Sequence, residues 1–282
     1  RVTVWRSANK IQQDKKNYDR VWQDLLKRKQ EHAGLAKLQV TVAEMASTLG
    51  TEHPRQRKNY NYVERSTTAQ EPPERASLIE SKSLVRSLDQ LYAQAHVVDI
   101  LLRDRVMKWA SESNGWLRGQ KQDKTAGPAR WIKWERDLAT TRPELVEQVM
   151  WAGVKKVERS IQKILRSYNG DVSRLVDVSR ACIAFESVHD IQACLMEIKK
   201  ETQAHQVQLV RLKNRLSVHW DSAVSAGYRD VALNLRLCDE EAERLRVNTH
   251  VAELQLILLP IAKLKTNDGH KRYVQFRNAR AE

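Results

Sequence analysis

The stretch Gly227 to Leu237, GYRDVALNLRL, contains two different patterns that meet at Asp230. Its second half alternates apolar and polar side chains, which is typical of a strand with one buried face. The apolar positions are Val231, Leu233, Leu235 and Leu237. The first half is a turn that carries an aromatic ring, Tyr228, followed by two opposite charges, Arg229 and Asp230. Such a turn either holds a ligand or only starts the strand, and the pattern alone is compatible with both.

Other segments around this stretch predict a sheet flanked by helices. Apolar runs at 178–185, 206–213 and 251–258 predict three more strands. Apolar residues recur every three or four positions over 78–111, 143–166 and 189–199, which predicts helices. We therefore expect an α+β fold with a mixed sheet of at least four strands and flanking helices.

The N-terminal part has a different composition. Helical spacing over 7–29 and again to Gly50 predicts an N-terminal helical segment, 1–50. Residues 51–77 are rich in proline, charge and amides and predict a linker or extended arm, so that the α+β domain spans 78–282. Basic and aromatic residues in the arm would suit RNA, although a flexible linker is the alternative. They are Arg55, Arg57, Lys58 and Tyr60.

Charge is the strongest signal in the composition. Lysine and arginine number 49 against 35 acidic residues, a formal net charge of +14 over 282 residues. Such an excess favours phosphate-rich partners, because binding releases their condensed counterions. RNA, DNA or nucleotides are expected, with an ordinary solvated basic surface as the alternative. No apolar run approaches the roughly 20 residues of a membrane span, so no membrane partner is expected.

A tryptophan-rich stretch, 114–137, interrupts the helical pattern with three glycines and a proline. Its tryptophans stand among basic residues, an arrangement that suits nucleic acid, while tryptophan at this spacing also suits a core. The basic residues of this candidate RNA-binding set are Arg118, Lys121, Lys124 and Arg130.

Cysteine usage bears on the compartment. The three cysteines, Cys182, Cys194 and Cys238, are odd in number and lack Cys-x-x-Cys spacing, which argues against a disulfide framework or a zinc knuckle. A reducing compartment is expected, either the cytoplasm or a mitochondrial or other organellar matrix. The chain begins at Arg1, and we interpret it as a processed product from which a basic targeting segment could have been removed.

Six segments occur in an order that resembles the synthetase domain of the RelA/SpoT family, in its divergent eukaryotic form. They are KKVERSIQKIL, SRLVDVSRACIAF, VRLKNRL, GYRDVALNLRL, VAELQLIL and GHKRYVQFRNAR. The resemblance covers roughly 84–280, with recognisable motifs from Lys155 onward. It implies a Mg²⁺-dependent transfer of pyrophosphate from ATP to the 3′ hydroxyl of GDP or GTP, which makes (p)ppGpp-type alarmones.

The resemblance also implies roles for particular residues. By position, Asp177 and Glu253 match the two carboxylates that hold magnesium, and Tyr228 matches the tyrosine that stacks on guanine. Two strand carboxylates can hold a magnesium ion that bridges phosphate oxygens, while lysines neutralise charge. The implied nucleotide-binding set is Lys156, Ser160, Lys213, Arg215 and Tyr228.

Each of these residues also has a purely structural interpretation. Asp177 could cap the start of a strand, Glu253 could be an outward-facing strand residue paired with Lys213 or Arg236, and Tyr228 could be an aromatic at the edge of the fold. Fold inheritance does not carry function with it.

Three departures from the family pattern predict weak or absent turnover. The arginine before the ATP-site lysine is Val154, the histidine after the stacking tyrosine is Ala232, and the Arg-Thr pair after the Glu253 strand motif is Ile257-Leu258. Losing one positive charge at a triphosphate site removes several kcal/mol of transition-state stabilisation, on the order of one oxyanion-hole donor (about 2.7–4 kcal/mol).

Three hypotheses follow from the sequence. The first, which we favour, is a repurposed and catalytically eroded RelA/SpoT-like domain that binds RNA or has a structural role in a large ribonucleoprotein such as an organellar ribosome. The second is an active magnesium-dependent pyrophosphokinase. The third is a protein-interaction scaffold whose charge serves solubility.

Overall fold

A mixed sheet of six strands forms the centre of the fold. The computed structural model describes residues 2–47, 49, 58–61, 84–120 and 130–265, with side chains in the first helix described from residue 9. The strand order is β2-β1-β3-β6-β5-β4, and only β3 and β6 run parallel. The expected α+β class, with at least four strands and flanking helices, is confirmed. The strands are β1 (Trp116–Arg118), β2 (Trp131–Lys133), β3 (Arg180–Phe185), β4 (Val207–Asn214), β5 (Val231–Leu237) and β6 (Ala252–Leu258).

Helices surround this sheet, and the longer ones begin at sequence signals that the chain provides. Ser87 accepts a hydrogen bond from the Gln90 N–H and Gln90 reaches back, a capping box that starts α3. Ser187 caps α7 by accepting from the Asp190 N–H. The helices are α1 (Val2–Leu26), α2 (Lys29–Ser47), α3 (Leu88–Glu112), α4 (Leu138–Thr141), α5 (Pro143–Glu147), α6 (Val157–Tyr168), α7 (Val188–Gln203), α8 (Glu240–Arg244) and α9 (Leu259–Leu264). None of the helices in the described residues is long and apolar enough to cross a membrane.

Alternation along the strands gives the sheet two unlike faces, because successive side chains point to opposite sides. On one face, Ile183, Leu235 and Leu256 are fully buried and belong to the main core. Helices α3 and α7 both pack against the strands and contribute to that core. The opposite face carries mainly polar side chains.

The N-terminal helices share this core. Helix α2 packs against α7 and β4, and Leu38 and Met45 on α2 are buried there. Helix α1 adds Trp22 and Leu25 to the same cluster. The segment predicted as N-terminal and helical is therefore part of the body that contains the sheet.

The single helix predicted over 143–166 is wrong. Helix α5 ends at Glu147 and α6 begins only at Val157. Between them the chain follows the sheet: the Met150 N–H donates to Arg118 O and the Lys155 N–H donates to Val178 O, at 2.7 and 2.9 Å. Pairing with the sheet overrides helical propensity in this segment, and it brings Lys155 to the start of β3.

The tryptophan-rich stretch adds two strands that the sequence pattern did not predict. Strands β1 and β2 have three residues each, too few for alternation to stand out. Leu117 and Ile132 pair with each other and point into the core, and Trp134 is also buried. The core interpretation is thus correct for Trp134, while Trp116 and Trp131 are only partly buried.

Part of the predicted arm is a structural component of the fold. Asn59 is fully buried, and its amide donates to Ser173 O and Leu175 O at 3.0 Å each. Its Oδ1 accepts from the Val251 N–H at 2.7 Å. One asparagine therefore connects the loop before β3 to the start of β6.

A buried histidine makes the stability of this region depend on pH. His250 is fully buried, with ring nitrogens 3.2 Å from Ser179 Oγ and 3.4 Å from Gln94 Oε1. Burial, and secondarily the charge of Arg236, lowers the pKa of His250 to about 3. The unfolded chain therefore binds a proton below about pH 6.5 that the folded chain does not bind until about pH 3.

We expect acid to destabilise the protein through His250. Between about pH 6.5 and 5 the wild type should lose roughly 2 kcal/mol more free energy of unfolding than His250→Gln, since each pH unit contributes about 1.4 kcal/mol. Urea denaturation at a series of pH values measures this difference. Parallel curves for the two proteins would contradict a neutral buried His250.

Candidate functional site

Strand register places the chemically active side chains on the face of the sheet opposite the core, which we call the polar face. Arg180 on β3 is level with Glu253 on β6, and Glu253 is level with Asn234 on β5 and then Arg211 on β4. The next row on the same face is Cys182, Gln255, Ala232 and Lys213. Residues far apart in sequence thus form two lateral rows.

Asp177 lies just before β3, between two lysines. Lys155 Nζ is 2.5 Å and Lys163 Nζ 2.9 Å from the same oxygen, Asp177 Oδ2. Burial alone would raise the pKa of Asp177, but the two ammonium groups outweigh it and lower that pKa. Burial lowers the pKa of Lys155. Burial also acts to lower the pKa of Lys163, but the charges of Asp177, Tyr168 and Glu253 and the hydrogen bond to Asp177 together outweigh it and raise that pKa. The Asp177 carboxylate is therefore held ionised inside a basic environment.

The loop that carries Asp177 is fixed on both sides. Asn234 Nδ2 donates to Val176 O at 2.9 Å, from the polar face of β5. The backbone N–H groups of Lys155 and Glu253 donate to Val178 O and Ser179 O, each at 2.9 Å. The position of Asp177 is thus set by the sheet, and its second oxygen, Oδ1, is buried and accepts no hydrogen bond from any described residue.

Glu253 has the opposite electrostatic environment to Asp177. Burial raises the pKa of Glu253, and the nearby Asp177 charge adds to the effect, while Lys163 partly opposes it. Glu253 Oε1 accepts a hydrogen bond from Gln255 Nε2 at 2.9 Å. The two carboxylates therefore interact electrostatically, with Lys163 close to both.

Strand β4 supplies basic residues to the other side of Glu253. Burial, together with the charges of Arg211 and Arg215, lowers the pKa of Lys213 to about 8. Arg215 forms an ion pair with Asp230, whose side chain is fully buried. Burial raises the pKa of Asp230 although Arg215 opposes it. Asp230 is thus a structural partner that holds Arg215 at the start of β5.

The polar face and its border carry more positive than negative charge. Among the described residues, seven basic and three acidic side chains lie there. The basic residues are Lys155, Lys163, Arg180, Arg211, Lys213, Arg215 and Arg236, and the acidic residues are Asp177, Asp230 and Glu253. Such an excess favours a ligand that brings several negative charges.

The turn at Gly227 and Tyr228 is packed against helix α1. The Tyr228 ring makes an edge contact with Tyr18, at 6.1 Å between centroids, and Lys265 Nζ lies 5.2 Å from the Tyr228 centroid. Gly227 has φ +86°, and a Cβ there would lie 2.9 Å from Tyr18 Cβ and 3.0 Å from Lys15 O. The turn therefore starts the strand and also receives α1, and a base stacked on Tyr228 would share the ring with these residues.

Not all members of the implied nucleotide-binding set come together. Lys213 and Arg215 lie on the polar face with Glu253, and Asp177 lies at its border. The Lys156 side chain is exposed, and its neighbour Lys155 contacts Asp177 instead. Ser160 is fully buried, with its hydroxyl 2.8 Å from the Tyr92 hydroxyl.

Four residues of the set predicted to bind RNA lie in the described part of the chain. Lys58 pairs with Asp171 at 2.9 Å, and Tyr60 lies under the Arg236 guanidinium at 5.5 Å, so both make contacts within the fold. Arg118 ends β1 and Arg130 precedes β2, at the edge of the sheet. Arg55, Arg57, Lys121 and Lys124 lie outside the described residues.

Sequence reasoning alone did not single out Lys155, Lys163 or Asn234. Lys163 could have been found from helical spacing, because it lies one turn after Ser160 on α6. Lys155 and Asn234 carry no such signal, since their roles depend on strand pairing between distant segments.

Two of the departures from the family pattern fall on the polar face. Ala232 lies between Lys213 and Gln255, and Ile257 is level with Ala184. Both side chains are buried, at 8% and 1% exposure. These positions supply no charge or hydrogen bond to a ligand.

Comparison with known proteins gives little that bears on the site. No protein-family model matches the chain, and no curated protein matches it. A chain in the crystal structure of the complex between the Type VI effector Tas1 and its immunity protein is similar over 66% of this chain and 74% of that chain. The identity is 15% and the TM-score 0.35, values at which the similarity carries no argument.

Because α1 packs closely against the turn, a methyl group added at Gly227 should destabilise the protein. Gly227→Ala should lower the free energy of unfolding by about 2–3 kcal/mol, because a strained positive φ adds to a steric clash. Gly170→Ala is the matched control, since Gly170 has φ +84° but a Cβ there would have nothing within 4 Å. That control should lose only about 1 kcal/mol. Equal losses in urea denaturation would contradict tight docking of α1 on the turn.

Proposed function

We propose that this protein binds a nucleoside polyphosphate through its phosphate groups on the polar face. The observation that carries the proposal is the convergence of Lys155, Lys163 and Lys213 around the carboxylates of Asp177 and Glu253. A phosphate chain is the ligand whose charge and length suit several cations on one surface.

The lysines are placed to change partners when such a ligand binds. Lys163 is near both carboxylates, and the charge of Lys213 is unfavourable beside Arg211 and Arg215. A bound phosphate would relieve that repulsion and stabilise the protonated form of Lys213. In the free protein these cations therefore repel one another, and a bound anion would reduce that repulsion.

The carboxylates also fit the magnesium ion that the resemblance implies. Asp177 Oδ1 is buried and accepts no hydrogen bond over the described ranges, and Glu253 interacts electrostatically with the same carboxylate. Magnesium in proteins is usually held by one or two carboxylates together with phosphates and water. Asp177 and Glu253 would hold the ion, and when bound it would neutralise phosphate oxygens. The described residues contain no group of three or more His, Cys, Asp or Glu placed to hold a metal, so phosphates and water would complete the coordination.

We further propose that the fold is RelA/SpoT-like and that its turnover is largely lost. Ala232 and Ile257 on the polar face, and Val154 before Lys155, leave fewer charged groups than the family pattern provides. Preorganised charges at a transferring phosphoryl group are each worth several kcal/mol, so the remaining set favours binding over catalysis. The lysines that remain can still bind and orient phosphate groups.

A role in a large ribonucleoprotein is the second candidate, and the net charge of +14 favours it. Part of that excess lies at the outer edge of the sheet, where Arg130 and Lys133 stand at β2. Such a surface would give affinity for RNA that falls with added salt.

Comparison of two lysine variants tests the proposed nucleotide site. Lys163→Gln should weaken binding of ATP or GTP about tenfold or more, because a charged hydrogen bond contributes about 1.5–3 kcal/mol. Lys156→Gln removes the same charge from an exposed side chain at the start of the same helix and should change affinity less than about twofold, as a surface pair does. Isothermal titration calorimetry measures both. Equal effects of the two variants, or no binding at millimolar nucleotide, would refute the site.

A turnover assay tests the proposed loss of catalysis. Incubation with ATP, GDP and Mg²⁺ should give no pyrophosphorylated nucleotide above the level of Glu253→Gln when the products are separated by ion-exchange chromatography. Product that forms with the wild type and disappears in Glu253→Gln would show an active pyrophosphokinase instead.

A further inference from the structure

A basic groove runs along the outer edge of the sheet, away from the polar-face carboxylates. In the described part of the chain β2 pairs only with β1, and no described strand pairs with its other edge. The groove lies between β2 and helices α4 and α5 and has a volume of about 650 Å³. Its lining includes four basic residues and one acidic residue, Glu135. The basic residues are Arg130, Lys133, Arg136 and Arg142.

The charges in this groove are only partly neutralised. Arg136 forms an ion pair with Glu112 at 2.7 Å. Arg130 donates one hydrogen bond to Gln148 Oε1 at 2.9 Å, a neutral partner that leaves its charge in place. Lys133 and Arg142 are exposed, and over the described ranges neither takes part in an ion pair. Among the described residues, the groove therefore presents three cations that form no ion pair with an acidic side chain.

An aromatic ring stands in the same wall. Trp131 is level with Arg118 on β1 and lines the groove beside Lys133. One side of the ring packs against the main core while the side chain stays partly exposed, and its buried indole N–H finds no hydrogen-bond partner among the described residues. An aromatic ring among cations suits a ligand that alternates flat bases with phosphates, because bases stack on rings and phosphates pair with cations.

We propose that the groove at β2 binds single-stranded nucleic acid. Its volume lies within the range of about 300–1,000 Å³ typical of small-molecule pockets, which is enough for a nucleotide unit of a single strand. Lys133, Arg142 and Arg130 meet phosphates, and Trp131 stacks on a base. This surface is distinct from the nucleotide site, since strands β1 and β3 separate β2 from β6, a distance of about 14 Å at 4.8 Å per strand.

Fluorescence anisotropy with a labelled ten-residue oligo(U) tests the proposal on the full chain. The double variant Lys133→Gln/Arg142→Gln should bind more weakly, and the slope of log K against log salt should become shallower by about 1.4, since each phosphate contact on a single strand contributes about 0.7. Arg20→Gln/Lys37→Gln makes the same change in net charge at exposed residues of α1 and α2 and should leave the slope unchanged.

The aromatic contact is tested separately. Trp131→Ala should weaken oligo(U) binding about tenfold or more, whereas Trp131→Phe should retain most of the affinity because a ring remains for stacking. A thermal melt of each variant shows whether the fold is intact, and the Phe variant keeps the test informative if the Ala variant unfolds. Oligo(dT) of the same length distinguishes RNA from DNA as the source of the strand.

Several results would overturn the proposal. Equal loss in the Arg20/Lys37 control pair would show that net charge alone drives binding. If inorganic polyphosphate bound as tightly as oligo(U), and neither Trp131→Phe nor Trp131→Ala changed the affinity, the groove would be an unspecific anion surface. If neither oligonucleotide bound, there would be no nucleic-acid site in the groove. Lys163→Gln should bind oligo(U) as the wild type does, so failure here and failure of the nucleotide site are distinguishable.

Discussion

Alternation along β5 and β6 is the constraint on which the rest of the structure depends. Leu233, Leu235, Leu254 and Leu256 fill the core beneath α3 and α7, and this fixes their strand neighbours on the opposite face. A shift of one residue in register would exchange the two faces and bury the charged side chains. The position of Glu253 and Lys213 is therefore a consequence of core packing.

The arrangement of charges on the polar face does not favour the stability of the folded protein. Two ammonium groups share one oxygen of Asp177, while burial and a neighbouring carboxylate raise the pKa of Glu253. Buried charges of this kind seldom add net stability, because desolvation offsets their attraction. Perturbed groups gathered on one surface are typical of binding sites, and this is the reason for the phosphate binding that we propose for the polar face.

The fold could be predicted from the sequence where the pattern is long and local. Strand 231–237 was predicted at its observed bounds, and strands β3, β4 and β6 within two residues. Strands β1 and β2 are too short for such a pattern, and the helix predicted over 143–166 failed because pairing of Lys155 with Val178 overrides local propensity.

The site was less predictable than the fold. Family resemblance pointed to Asp177 and Glu253, whereas the choice of Lys155 over Lys156 depends on a strand-like contact that no local pattern encodes. Asn59 illustrates the same limit: it stands in a stretch with linker composition, yet it is fully buried and connects the loop before β3 with the start of β6. Residues whose role is to join distant segments leave no periodic signal.

Hydrogen–deuterium exchange with and without ATP and Mg²⁺ tests most directly whether the polar face binds phosphate. Slower exchange should be confined to 155–163, 176–180, 211–215 and 253–255, the segments that carry the lysines and carboxylates. Protection elsewhere, or no change at saturating nucleotide, would contradict the account.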